Sequence, residues 1–320
     1  MDTVLYKSRY INPMVDVGFK LIFGQEKHKR LIKELLEHVF EVRITELSYA
    51  NVERLSSVAD RNACFDLMCR AERVGDFIVE VQVREQKNFI DRALFYSTFP
   101  IIAQAPKGEW DYGLAPVYFL GLLNFSLPTA SAKESGCVHR YSLRNDETHG
   151  LLTESVKYVF LEVGPFVKRE EECKSFIEKF LYYMKNLPTF AEKPQTQGEG
   201  YFEELLEAAE YAALDTEMKA WYDERLKVMR DNKNTMDFAI EKGHKEGLEK
   251  GLAEGLEKGI QQGIQQGIQQ GVQQGVQQGQ TQKSREIARN LLSMGLSAGQ
   301  VSEGTGLSLD EVLELRSAGQ

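Results

Sequence analysis

The chain has 320 residues, 42% apolar, 10% aromatic and 27% charged, a balance that suits one large globular domain or two smaller ones. Its 39 basic and 48 acidic groups give a formal net charge of −9, which excludes a general polycation that binds nucleic acid without specificity. The excess acid is uneven: residues 1–125 carry 16 basic and 17 acidic groups, 126–242 carry 16 and 22, and 243–320 carry 7 and 9, so a local basic cleft remains open to the first segment.

Residues 1–16 have neither an apolar core of signal-peptide length nor a small-residue cleavage pattern. The longest apolar run, 115–125 (APVYFLGLLNF), is about half of what a membrane span needs and reads as a buried strand. Cys64, Cys69, Cys137 and Cys173 have no C-x-x-C spacing and the five histidines are scattered, which predicts buried thiols in a reducing compartment and no zinc site. The expectation is a cytoplasmic protein without a membrane segment.

In chain order, 17–23 reads as a short helix behind Asp16 as N-cap, and 26–40 as a second helix with Leu31, Leu35 and Val39 at four-residue steps. A strand at 44–49 follows. Two further strands, 65–71 and 77–83, flank a charged turn, and then come a helix at 89–104 and a strand at 117–125. That order predicts an α/β fold with a central sheet flanked by helices. Strands at 138–143 and 156–163 and helices at 170–185, 201–213 and 216–230 extend it, with 188–200 as a polar loop.

Ten of the 26 glycines recur at every fourth position from Gly243 to Gly279, mostly as G-[LIV]-[EQ]-[KQ]. A strict period of four overshoots the helical turn by roughly 40° per repeat, and each glycine costs about 1 kcal/mol against alanine, which favours a low-complexity linker over an isolated helix. An oligomer is the setting that would hold it as a helix. Beyond it, 285–294, 298–303 and 309–316 read as three short helices, two of them behind capping boxes at Ser297/Gln300 and Ser308/Glu311. The layout is that of a helix-turn-helix module. Its third helix carries Arg316 among acidic residues, a poor match for phosphate, so protein interaction or assembly stands beside DNA reading. The expected domains are 1–242 (core about 10–125, extension 126–242), 243–283 and 284–320.

The hairpin at 65–83 carries the chemistry. Its odd positions are apolar and should pack on helices, while Asp66, Glu80 and Gln82 share the other face. A three-residue loop at 73–75, with Gly75 left-handed, places Asp66 opposite Gln82 with Glu80 one step diagonal. Two carboxylates beside the Val81 carbonyl make an oxygen-rich pocket for a hard cation such as Mg²⁺, which supports phosphodiester hydrolysis. The competing reading is an ordinary half-exposed strand with alternating polarity.

Asp66 followed by Glu80-Val81-Gln82 resembles the D…E-x-K core of the PD-(D/E)XK nucleases. The segments DVGFKLIFG (16–24), IVEVQ (78–82), DRALFYS (91–97), YSLRNDE (141–147) and VFLEV (159–163), with the glycine tetrads, are similar to the PD-(D/E)XK nuclease family transposases, relatives of the recombination-promoting nucleases. That resemblance covers most of the chain. It implies a restriction-endonuclease-like core with a central mixed sheet, and metal-dependent DNA cleavage using Mg²⁺ or Mn²⁺ on Asp66 and Glu80.

Gln82 stands where the wider superfamily has lysine and offers hydrogen bonds in place of a positive charge. Lys20 is the candidate for that charge. Asp16 is a candidate third metal ligand, with N-capping as its competing role. Arg92 is a candidate phosphate clamp, against a solvated helix arginine, and Lys27, Lys29 and Arg30, with Lys33, are a candidate DNA-facing patch, against a solvated face. The expected activity is a metal-dependent DNA endonuclease linked to recombination or transposition. The alternative is a non-catalytic, nuclease-like interaction or DNA-binding protein assembled as a homo-oligomer through its C-terminal repeat.

Overall fold

The computed structural model describes residues 8–50, 65–105, 108–127, 136–196 and 199–318, so Cys64 lies outside the described residues. The chain divides into two compact units, 1–231 and 232–320. The first is built on a mixed six-stranded sheet in the order β1-β2-β3-β4-β6-β5. Its strands are β1 (Leu47–Tyr49), β2 (Leu67–Ala71), β3 (Gly75–Gln82), β4 (Val117–Leu123), β5 (Val138–Ser142) and β6 (Val156–Glu162). β3, β4 and β6 run parallel, and the antiparallel β1 and β2 on one side and β5 on the other complete the sheet.

The parallel strands need cover on both faces, which explains why β3 and β4 are buried along their whole length. One face packs on α1 (Asp16–Phe23), α2 (Lys29–Phe40), α4 (Phe176–Asn186) and α5 (Gly200–Ala209), through Phe19, Leu35, Phe180 and Phe202 against Cys69, Phe77, Val79 and Leu120. The other face packs on α3 (Phe89–Ala103), with Phe89, Ala93 and Phe99 against Met68, Ile78, Phe119 and Phe160. The even face of the hairpin is therefore a second core face and not a half-exposed one. Gly121 is required there: a Cβ on it would lie 2.6 Å from the Phe160 ring.

Three local expectations change. The hairpin loop is Glu72-Arg73-Val74, with Arg73 in the left-handed region (φ 63°), and Gly75 pairs with Ala71 inside the ladder. The reason is the neighbouring strand. Gly75 passes so close to Pro116 that a Cβ would sit 2.1 Å from its carbonyl oxygen, and Asp76 N–H donates to that oxygen at 2.9 Å, which draws Gly75 into β3. Pairing slips by two residues, an even number, so every side chain keeps its face. Phe65 leaves the odd face because Asp66 bends the chain, and its ring packs edge-on against Tyr96 and Phe99. Asp16 is the first residue of α1 and not its cap, Val15 holding that place; there its charge meets the positive end of the helix.

The helix read at 216–230 continues as α6 (Thr216–Ser293), so the tetrad stretch read as a linker is helical. Two or three of every four residues in the repeat (Leu, Glu, Lys, Gln) are good helix formers, and Lys250 pairs with Glu254 at i,i+4, which offsets part of the glycine cost. The second unit ends in α7 (Ala298–Thr305) and α8 (Leu309–Ser317). Both capping boxes are formed, Gly295 and Gly306 make left-handed turns, and Ala288, Val301, Leu307 and Val312 close a small core with the end of α6.

Candidate active site

Asp66 directly precedes β2, where the main-chain ladder stops. Its side chain takes over from the ladder: Asp66 Oδ2 accepts the Val81 N–H at 2.7 Å, and Glu80 Oε1 accepts the Asp66 N–H at 3.2 Å. This reciprocal exchange locks the two carboxyl groups across the β2–β3 pair. Extending the observed register past Leu67–Val79 sets Asp66 opposite Glu80, one step from the expected Gln82. Glu80 is 3% exposed and Gln82 9%, so the last two even positions of β3 are enclosed.

Both acids are held protonated above their ordinary range. For Asp66 the cause is burial first and then the neighbouring Asp16 carboxylate, opposed by the Val81 N–H and Lys20. For Glu80 burial again leads, followed by repulsion from Asp66, opposed by the Asp66 N–H and the charges of Arg92 and Lys20. Two enclosed carboxyl groups, Glu80 raised by Asp66 and Asp66 raised by Asp16, are a site short of positive charge. Each spends one oxygen on a backbone donor and keeps the second for another partner. That donor set fits a divalent cation whose remaining ligands are water or phosphate oxygens. Among the described residues no group of three or more His, Cys, Asp and Glu side chains is arranged to hold a metal.

Lys20 reaches the pair from α1, its Nζ 2.6 Å from Asp16 Oδ1 and 4.0 Å from Asp66 Oδ1. Asp16 is thus drawn to the edge of the site by Lys20, with its side chain 53% exposed. Gln82 closes β3, where its carbonyl accepts the Asn124 N–H at 2.9 Å. Arg92, in the first turns of α3, donates from Nη1 to Gln86 Oε1 at 2.6 Å and lies 5.4 Å and 5.9 Å from the Phe89 and Tyr96 ring centroids. Asp66, Glu80, Gln82, Lys20, Asp16 and Arg92 therefore gather at one end of β3.

The basic residues of the second helix have other partners. Lys29 pairs with Glu26 at 2.5 Å and lies over Tyr49, and Arg30 pairs with Glu34 and Glu204. Lys27 is exposed. None of the ion pairs described for these three involves Asp66 or Glu80.

Other buried charges escaped the sequence reading. Glu162, in the VFLEV segment, accepts the Leu127 N–H at 2.6 Å and faces His139 Nε2 at 3.1 Å, both residues being buried. It stands two strands from Gln82 in the same row, through Leu123. Asp76, at the opposite end of β3, is clasped by Arg70 at 2.7 Å and 3.2 Å. Ser97, the last residue of DRALFYS, shares a 2.7 Å hydrogen bond with Tyr158 and ties α3 to β6. An apolar residue on either side of a charged one was the available signal for Glu162.

The model of the PD-(D/E)XK nuclease family transposase matches residues 13–239. The chain belongs to that family. Residues 281–317 match a second model, the C-terminal HTH domain of the Rpn/YhgA-like nuclease family. No curated protein and no solved structure matches the chain. The family's mixed α/β core agrees with the sheet and helices described above, and among the described residues no helix is long and apolar enough to cross a membrane.

Proposed function

We propose that the protein is a divalent-metal-dependent DNA endonuclease acting in recombination or transposition, and so working in the cytoplasm where DNA is accessible. The observation that carries this reading is the pair of enclosed carboxylates, Asp66 held by the Val81 N–H and Glu80 by the Asp66 N–H, inside a nuclease-family domain. Asp66 and Glu80 would hold Mg²⁺ or Mn²⁺, which would supply polarisation of the phosphodiester and a lower pKa for a bound water. The chain's own residues do the rest. Val81 N–H fixes the Asp66 carboxylate, and Lys20 steadies it from α1 together with Asp16, the candidate third ligand. Gln82 orients the attacking water through its amide, without supplying charge. Lys27, Lys29 and Arg30 contact the DNA backbone beside the site. The nuclease domain spans 1–242, and the tail at 284–320 is a helix-turn-helix that adds a second point of contact with DNA.

The test is nicking of supercoiled plasmid by the purified protein with and without Mg²⁺. The expected result is cleavage that needs the metal and that falls by at least roughly 10³-fold in Asp66→Ala and Glu80→Ala, with far-UV circular dichroism unchanged. Cleavage that persists in both variants removes these residues from the mechanism.

The repeat at 243–283 supports an assembly role alongside catalysis. Leu248, Leu252, Leu256, Ile260, Ile264, Ile268, Val272 and Val276 are all more than half exposed. Ten glycines cost this stretch roughly 10 kcal/mol against alanine, which argues that packing of copies against one another completes the helix. Light scattering of the full chain is expected to give an oligomer, reduced to the monomer mass in Ile264→Lys/Ile268→Lys. An unchanged mass in that variant excludes the repeat as the assembly surface.

A further inference from the structure

Arg92 holds a buried nitrogen that nothing among the described residues bonds. Its Nη1 is satisfied by the Gln86 amide and its guanidinium lies near the rings of Phe89 and Tyr96, yet its Nη2 is buried and has no hydrogen-bond partner among the described residues. Among the described residues it forms no ion pair. A buried, unpartnered donor on a charged group is costly, more so than one on a neutral group, and a catalytic or ligand-binding role is one way that cost is returned.

The place of that nitrogen follows from the packing of α3. Phe89, one turn before Arg92, has its ring tip 3.6 Å from where a Cβ of Gly121 would stand, and Gly121 is the register partner of Glu80 on the adjacent strand. The absence of a side chain at Gly121 lets the start of α3 settle over Glu80. Arg92 is accordingly close enough for its charge to act on the Glu80 carboxyl. Lys20 is placed differently. It is held between two carboxylates, 2.6 Å from Asp16 and 4.0 Å from Asp66, so its charge is already spent.

Resting on the nuclease reading above, we propose that Arg92 is the catalytic cation of this site, its Nη2 donating to a non-bridging oxygen of the scissile phosphodiester, while Lys20 is a positioning residue for Asp66. As the water oxygen bonds to phosphorus and the bond to the leaving oxygen breaks, charge grows on the non-bridging oxygens. Water loses its proton to solvent, the leaving oxygen gains one from solvent, and Arg92 remains protonated throughout. A planar fork steadied by two aromatic rings meets that charge without reorganising. Arg92 thus supplies from α3 the charge that Gln82 does not carry on β3.

The experiment compares wild type, Arg92→Gln, Arg92→Lys and Lys20→Gln as full chains. Single-turnover plasmid cleavage is followed as Mn²⁺ is raised, and DNA affinity is measured by anisotropy in EDTA. Arg92→Gln is expected to slow cleavage by roughly 10²–10³-fold at every Mn²⁺ concentration, with DNA affinity changed by less than about 3-fold and partial recovery in Arg92→Lys. Lys20→Gln is expected to weaken cation binding and to recover at high Mn²⁺. An Arg92→Gln rate within about 3-fold of wild type, or its rescue by Mn²⁺, overturns the assignment. If wild type cuts no DNA, the nuclease reading fails, and inorganic phosphate in EDTA then decides on Arg92. Phosphate should raise the melting temperature of wild type and leave Arg92→Gln unmoved; equal shifts overturn the proposal.

Discussion

The β2–β3 ladder and the tetrad stretch of α6 depart from the usual partition of side chains in opposite directions. In the first, Glu80 and Gln82 are enclosed in one strand with Phe77, Ile78, Val79 and Val81; in the second, Leu, Ile and Val stand in solvent among Gln and Gly. Burying a carboxylate beside another carboxylate costs free energy that only a cation, a proton or a donor returns. Exposing a run of aliphatic side chains forgoes free energy that only a covering surface returns. Each region is unfinished in the way that names its partner: the ladder lacks positive charge, and the repeat lacks cover.

Substitutions in the two regions should separate these cases sharply. The largest effect is expected at Ile78→Ala, on the face of β3 that α3 covers, where loss of a fully buried side chain should cost about 2–5 kcal/mol in urea unfolding of the first unit. A cost under about 1 kcal/mol would mean that β3 is not the centre of the sheet.

Next comes Asp66→Asn without metal. Because the folded-state pKa of Asp66 is raised, the folded form holds its proton longer than the unfolded chain does. Stability is therefore fully present below the ordinary carboxylate range and lost as pH rises from there toward the raised folded value. The amide has no such loss, so in EDTA the variant should gain on wild type by about 2 kcal/mol between pH 4 and pH 8. A gap that is independent of pH would contradict the buried-charge account. Added Mn²⁺ should reverse the order of melting temperatures at pH 8.

Ser308→Ala, which removes the capping box of α8, should cost the tail unit about 1 kcal/mol by circular dichroism of the full chain. The smallest effect is expected at Ile264→Gln. In the isolated protomer at high dilution it should change stability by less than about 0.5 kcal/mol, because nothing packs there. A larger effect that grows with protein concentration would show that the repeat is covered by another copy.

Parity made much of the site legible from the sequence. Even spacing puts Asp66, Glu80 and Gln82 on one face whether the loop is 73–75 or 72–74, so the slip of two residues left that grouping intact. What the spacing could not tell was which residue faces Asp66, because Pro116, some forty residues on in the chain, draws Gly75 into β3. The order of strands and helices was likewise readable from alternation and four-residue steps. Burial of the even face was not, since it depends on α3 crossing back over the sheet. Glu162 and His139 meet only through the β5–β6 pairing, so neither stood out among scattered charges. The tetrad helix ran against the glycine propensities, which describe a lone helix and say nothing of a covered one.

The central claim is that Asp66 and Glu80 together bind a divalent cation. Isothermal titration of Mn²⁺ into wild type, Asp66→Asn and Glu80→Gln at pH 7.5 tests it most directly. The account predicts saturable binding near one ion per chain in wild type and at least a roughly 10-fold loss of affinity in each variant. Equal Mn²⁺ affinity in all three proteins would contradict it.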